Sequence, residues 1–266
     1  MTLVPLDIPA GFYRNGTDLE QSNRWREGSL VRWRDNSLRP IGGWQERKAS
    51  FSTNPVRGMH TWETNSSDAY LVGGSYNELK AMVGGGTIYD IAPADLTAGR
   101  ENAELGTGYG DGFYGNGYYG QPIQQNTNAI PLEATTWSLD NFGEYLVACS
   151  KDDKRLLEWQ LGSGAKAAPI ANAPINNLGL VVTEERFIFA LGSGGNPRKI
   201  SWCDRENNTL WTPAATNEAG DIELSDSGQI MQGIRTRGQT LILTDTSAHT
   251  ARYTGPPYVY GFERVG

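Results

Sequence analysis

Four short runs decide the fold: AYLVGG (69–74), EYLVAC (144–149), RFIFAL (186–191) and TLILTD (240–245). Each is apolar, rich in β-branched, aromatic or leucyl residues, and too short for an ordinary helix, so each reads as a strand. A polar turn and a second run follow every one of them: LKAMVG (79–84), RLLEWQ (155–160), RKISWC (198–203) and HTARYT (249–254). An opening segment precedes each: RGMHTWE (57–63), ATTWSLDN (134–141), INNLGLVVTEE (175–185) and IMQGIRTRG (230–238). TIYDIAP (87–93) adds an outer strand to the first unit. The first runs are spaced by 75, 42 and 54 residues. A four-stranded unit of ~40–45 residues is the period of a propeller blade, with insertions accounting for the longer intervals. Continuous apolar runs such as RFIFAL indicate strands buried on both faces, as when sheets stack. The expectation is an all-β chain: β-propeller-like blades of short antiparallel strands over 51–266, preceded by an irregular N-terminal arm. The units share pattern and not identity, so a β-sandwich is the alternative. Four units are few for a closed propeller, so either further sequence completes the ring or the blades form an open arc.

Residues 1–50 differ in character. They hold eight basic and six acidic side chains, net +2, which leaves −9 on the remainder of a chain whose net charge is −7. The segment RWREGSLVRWRDNSLRPIGGW (24–44) carries most of the positive charge. In it Leu30, Arg32 and Arg34 alternate with Val31 and Trp33, a period of two that predicts a strand. Its functional reading is a basic, aromatic surface that meets a partner; its plain reading is a strand with core Trp residues and solvated Arg residues. Residues 1–23 are polar and carry Pro5, Pro9, Gly11 and Gly16, as expected of an arm that orders on a neighbour or not at all.

A second unusual stretch, GTGYGDGFYGNGYYG (106–120), has seven glycines and five aromatics in fifteen residues. It falls in an insertion expected over about 94–133. GxGxxG occurs in it twice by spacing, but a dinucleotide site needs that pattern between a strand and a helix, and no helical pattern follows. The better reading is a long loop whose Tyr and Phe side chains supply contact area.

Composition narrows the rest. Apolar residues make up 38% of 266, and glycine is abundant at 33, which suits strands joined by turns and not helices. The acidic balance argues against general nucleic-acid or acidic-membrane binding. Two cysteines, Cys149 and Cys203, are too few for a disulfide scaffold and are spaced wrongly for a metal site, so a reducing place of synthesis fits. No run approaches the ~18–20 apolar residues of a membrane helix, and residues 1–11 lack a signal-peptide pattern. The two histidines, His60 and His249, each fall inside a predicted strand. The acidic pairs Asp152/Asp153 and Glu184/Glu185 fall in turns, where charges are ordinarily solvated. DIELSDSG (221–228) lacks the glycine and terminal Glu of a calcium loop. No catalytic residue, cofactor site or metal ligand is assigned, and the chain does not read as an enzyme.

Several stretches taken together resemble one family. The opening IPAGFYRNGTDLEQSNRWREGSLVRWRDNSLRPIGGW (8–44), the glycine-tyrosine stretch, WSLDNFGEYLVAC (137–149), ISWCDRENNTLWTP (200–213) and TRGQTLILTDTSAHTARYTGPPYVYGFERVG (236–266) are similar, in that order, to the tail-stabilisation or nozzle proteins of short-tailed bacteriophages and related proteins of other tailed phages. The likeness runs along nearly the whole chain. It implies a propeller-containing virion structural protein, made in the host cytoplasm and located in the tail or at the head-to-tail interface. It further implies a cyclic homo-oligomer, six subunits by resemblance, beside adaptor or other tail proteins, with genomic DNA passing nearby and no membrane contact. The family continues past its GPPYVYGF-type motif whereas this sequence stops at Gly266, so the ring-closing blades are expected elsewhere or the chain is a shortened relative. The candidate subunit-interface residues are Trp25, Arg32, Trp33 and Arg34 in the arm, and Tyr109, Phe113, Tyr114, Tyr118 and Tyr119 in the loop, since Trp, Tyr and Arg dominate interface hot spots. Two other classes remain open: a carbohydrate-binding tail module using exposed aromatic platforms, and a propeller glycoside hydrolase, which needs two converging carboxylates.

Overall fold

The computed structural model describes residues 9–14, 16, 17, 19, 20, 24–43, 51–84, 86–103, 132–162, 164–226 and 228–266. The chain divides into two compact units, Met1–Ala49 and Ser50–Gly266. Among the described residues the structure is all-β, in five small antiparallel sheets.

In the first unit β1 (Val31–Arg34) and β2 (Ser37–Pro40) form a hairpin. Asp35 and Asn36 make its turn with φ of 49° and 57°. Both values are left-handed, as a two-residue turn matched to strand twist requires, and Asp and Asn tolerate that region best after glycine. Leu30, expected to alternate with the strand, instead precedes it at φ 56° and lies exposed.

The second unit holds four four-stranded sheets. The first comprises β3 (Gly58–Glu63), β4 (Ala69–Gly74), β5 (Leu79–Val83) and β6 (Thr87–Asp90). The second comprises β7 (Trp137–Phe142), β8 (Tyr145–Ser150), β9 (Leu156–Trp159) and β10 (Ala168–Pro169). The third comprises β11 (Gly179–Val182), β12 (Ile188–Leu191), β13 (Lys199–Trp202) and β14 (Gly220–Glu223). The fourth comprises β15 (Ile230–Thr236), β16 (Gln239–Thr244), β17 (Ala248–Gly255) and β18 (Val259–Arg264). In every sheet each strand pairs with its neighbour in sequence. The four quoted runs supply β4, β8, β12 and β16, the second strand in each case. The first strands lie side by side, β3 against β7, β7 against β11 and β11 against β15.

Alternation along the second strands explains the stacking. One face of each sheet leads toward the next sheet and the other trails toward the previous one. Val147 and Cys149 lead from β8 into the third sheet, where they meet the trailing Ile188 and Ala190 of β12. Phe187, just before β12, and Phe189 within it lead in turn into the fourth sheet, against Ile242, Ala251 and Tyr260. Val72 of β4 leads into the second sheet, against the trailing Leu146 and Ala148 of β8. Burial of such side chains stabilises by roughly 1.5–3 kcal/mol each before entropic costs. Close approach at two of these joints requires glycine. A Cβ on Gly74 would lie 2.4 Å from the Trp137 ring, and one on Gly233 would lie 2.6 Å from Val181 Cγ1.

Candidate functional site

The arm hairpin sorts its residues by face, as period-two alternation dictates. Val31, Trp33 and Leu38 are half-buried, whereas Arg32, Arg34 and Arg39 are exposed. Trp33 sits at the centre of an aromatic cluster, its ring 6.2 Å from Phe12 and 6.4 Å from Trp25, both edge-on. A parallel bridge between Phe12 and Trp25, with the Tyr13 N–H donating to the Trp25 carbonyl at 2.9 Å, ties the preceding chain to the hairpin. The Trp33 indole N–H is buried and has no acceptor. On the opposite face Arg32 lies directly across from Arg39, a like-charge pair that opposes hairpin formation by itself. The structure therefore brings Trp25 and Trp33 together and sets Arg32 and Arg34 apart from them, in one stripe with Arg39. Sequence reading missed Arg39; its signal was the Asp35-Asn36 turn dipeptide, which folds SLRP back onto VRWR. Tyr109, Phe113, Tyr114, Tyr118 and Tyr119 lie outside the described residues.

Within the sheet unit a cleft of about 580 Å³ is lined by all four first strands, with Arg57 and His60 at β3, Asp140 on β7, Val181 on β11, and Gln232 and Arg235 on β15. Among the described residues of that lining Asp140 is the one carboxylate. Both of its oxygens are committed: Oδ2 accepts the Val182 N–H at 2.9 Å, and Oδ1 accepts the Asn141 N–H at 2.9 Å. His60 is held too, its Nε2 3.2 Å from Asn141 Oδ1 and its ring stacked on Trp62. These polar groups cross-link neighbouring strands and so leave no poised acid–base pair.

Turns between first and second strands meet at one end of the cleft. Glu144 accepts from the Asn65 N–H at 2.7 Å, its carbonyl accepts from the Trp62 indole at 3.0 Å, and Glu184 accepts from the Gly238 N–H at 3.0 Å. Arg186 lies over the Phe142 ring at 5.9 Å. Each such contact links successive sheets.

His249 is the second histidine, and a serine and an aspartate accompany it. Ser247 Oγ lies 3.0 Å and Asp226 Oδ2 3.2 Å from the same ring nitrogen, Nε2. A nucleophile–base–orienter relay needs the acid on the other nitrogen, so this cluster is a structural network. The Tyr260 hydroxyl donates to Glu185 Oε2 at 3.1 Å, which leaves the Thr183 hydroxyl, 2.8 Å away, to donate to it. Burial, with the Glu185 charge beside it, drives the phenol well above its ordinary range.

One expectation is overturned here. Asp153 was read as a solvated turn carboxylate, yet its side chain is wholly inaccessible. Arg155 grips it with Nε and Nη2 at 2.7 and 2.8 Å, reaches Asp95 with Nη1 at 2.7 Å, and the Thr97 N–H donates to it at 2.9 Å. Burial pushes the Asp153 carboxyl upward, but the hydrogen bonds from Arg155 and Thr97 outweigh it and hold the group below the usual carboxylate range. This clamp fastens the connector between the first and second sheets.

Both cysteines are reduced and buried, and burial pushes each thiol up to about 12. Cys149 and Cys203 should thus resist alkylation by iodoacetamide at pH 8 and label only after denaturation, because the thiolate is the reactive form. Rapid native labelling, read by mass spectrometry, would contradict that placement. Among the described residues no cluster of His, Cys, Asp and Glu has the form of a metal site, and no helix is long and apolar enough to cross a membrane. Comparison with protein-family models and with curated proteins finds no match to this chain.

Proposed function

We propose that the chain is a structural subunit of a bacteriophage particle: a β-propeller-type component of the tail nozzle or head-to-tail connector, assembled as a ring along the DNA exit path. The observation that carries the reading is the succession of four sequential four-stranded sheets whose first strands line one cleft, which is how propeller blades are arranged. The family resemblance spread along the sequence supplies the phage context. The cleft's chemistry favours a structural part over a hydrolase, because a glycosidase would need a second carboxylate facing Asp140. The cationic stripe of Arg32, Arg34 and Arg39 suits docking onto an acidic neighbour, and residues 51–266 of this protein carry net −9. A mostly acidic body also lets a DNA duplex pass without sticking.

The test is immunodetection in purified particles, with antibody raised against the isolated chain. Gold label at the tail or portal vertex is the expected result; a chain abundant in the lysate and absent from particles would sink the proposal. In a phage that carries only a copy lacking residues 1–23, incorporation should fall several-fold while thermal unfolding of the purified sheet unit is unchanged. Normal incorporation would remove the arm from the assembly role.

A further inference from the structure

The cleft along the first strands reverses the charge of the unit that contains it. Residues 51–266 carry net −9, yet the cleft walls hold two arginines, Arg57 and Arg235, against the one carboxylate of Asp140. Asp140 has both oxygens bonded to backbone N–H groups, so it answers neither arginine. Arg57 is half-buried, and its Nη2 donates at 2.6 Å to the Glu101 carbonyl, a neutral acceptor that leaves the charge unbalanced. Arg235 is exposed and makes no hydrogen bond or ion pair among the described residues. It also borders a cavity of about 370 Å³ beside Glu63, Glu144, Glu184 and Arg186. Of those carboxylates, Glu144 and Glu184 already accept from the N–H groups of Asn65 and Gly238.

Packing places the two arginines at opposite ends of the row. Gly58 lies on Trp137, and further along His60 meets Asn141; Gly179 lies on Ser138, and further along the Val182 N–H meets Asp140. The first strands therefore start level and run the same way. Arg57 precedes β3 and stands at one end, whereas Arg235 is the last residue but one of β15 and stands toward the other. Gly233 shares a face of β15 with Arg235 and packs on Val181 of β11, which turns Arg235 inward along the row.

We propose that this cleft binds a small organic polyanion, held at one end by Arg57 and at the other by Arg235 through carboxylate or phosphate oxygens. The site goes beyond the structural reading above and does not rest on it. A cavity of about 580 Å³ is of the size that takes a small molecule. A guanidinium presents planar, paired donors matched to either oxyanion, and a cleft with low-dielectric walls focuses the field of two like charges. A half-buried charge without a counter-charge is costly, and an anion spanning the two arginines removes that cost.

Titration calorimetry on the full chain tests the site, with citrate and inorganic pyrophosphate as separate probes. Constant ionic strength keeps general screening the same in every run. Saturable, sub-millimolar binding of at least one probe is expected. Citrate alone would assign a carboxylate ligand, pyrophosphate alone a phosphate, and both together a site that reads charge. Arg235→Gln and Arg57→Gln should each weaken binding by about tenfold or more, since each removes charge-assisted hydrogen bonds. Arg252→Gln, also at an exposed position but outside the cleft, should leave it unchanged. Circular dichroism establishes that each variant folds, and Arg57→Gln carries the test should Arg235→Gln not fold. No saturable heat from either probe at millimolar concentration, affinity untouched by the cleft variants, or an equal loss in Arg252→Gln would each overturn the site.

Discussion

Replacing Asp153 with alanine will destabilise the sheet unit by about 3–5 kcal/mol, the usual cost of removing one partner from a buried ion pair. The loss is large because Arg155 stays behind, only 24% accessible, with its Nε stripped of its acceptor and its Nη2 left with the Asp95 carbonyl at 3.1 Å. The Thr97 N–H loses its acceptor as well. Urea unfolding at pH 7 measures it; a loss below about 1 kcal/mol would show the clamp to be ornamental. Acid dependence checks the same site with a defined sign. The folded carboxyl is held below its ordinary value, so its stabilising contribution is complete above about pH 4, the unfolded value. That contribution fades as pH falls through the lower folded value. Asp153→Asn, which keeps the shape and removes the charge, should therefore unfold with a flatter acid limb than the wild type.

Phe189→Ala is the second large effect, expected at about 3–5 kcal/mol. Phe189 is fully buried and makes edge-to-face contact with Tyr260 at 4.8 Å and tilted contact with Trp202 at 5.9 Å. Truncation leaves a cavity between the third and fourth sheets, walled by rings that have little freedom to collapse into it. Tyr260→Phe separates packing from polarity at that junction, since it keeps the ring and strands only Thr183 and Glu185. It should cost about 1–3 kcal/mol, mostly the penalty of unpaired buried groups. Equal losses for the two variants, by the same unfolding measurement, would place the energy in the hydrogen bonds and not in the ring.

The sequence was most legible where one physical signal acts alone. EYLVAC and RFIFAL are central strands covered on both sides, and AYLVGG and TLILTD pack fully on one, so each apolar run is assigned without reference to a partner. The fourth strands were harder, because edge strands bury little: Ala168–Pro169 and the GDIE of Gly220–Glu223 carry almost no strand-forming residues. TIYD in the first sheet was read because Ile88 and Tyr89 still meet neighbours. Asp153 was misread for a related reason. A pair of adjacent aspartates in a turn looks solvated until Asp95 and Thr97, more than fifty residues earlier, are brought beside Arg155. In the arm, Trp33 and the alternating arginines were legible from their period, whereas the pairing of Arg32 with Arg39 depended on where the chain turned.

The neighbour-to-neighbour pairing of every strand has a further consequence, for synthesis and for evolutionary growth. A chain emerging from the ribosome meets each pairing partner within at most seventeen intervening residues, those between β13 and β14, so a sheet can complete itself before the next is made, and slow long-range searches are avoided. Only the connectors between sheets are free of this local schedule. Doubling the length of a loop costs only about 0.6 kcal/mol in closure entropy. The stretch between Asp90 and Trp137 is the longest of these joints, and beyond the clamped Asp95 and Thr97 it is the place where added sequence costs the sheets on either side least.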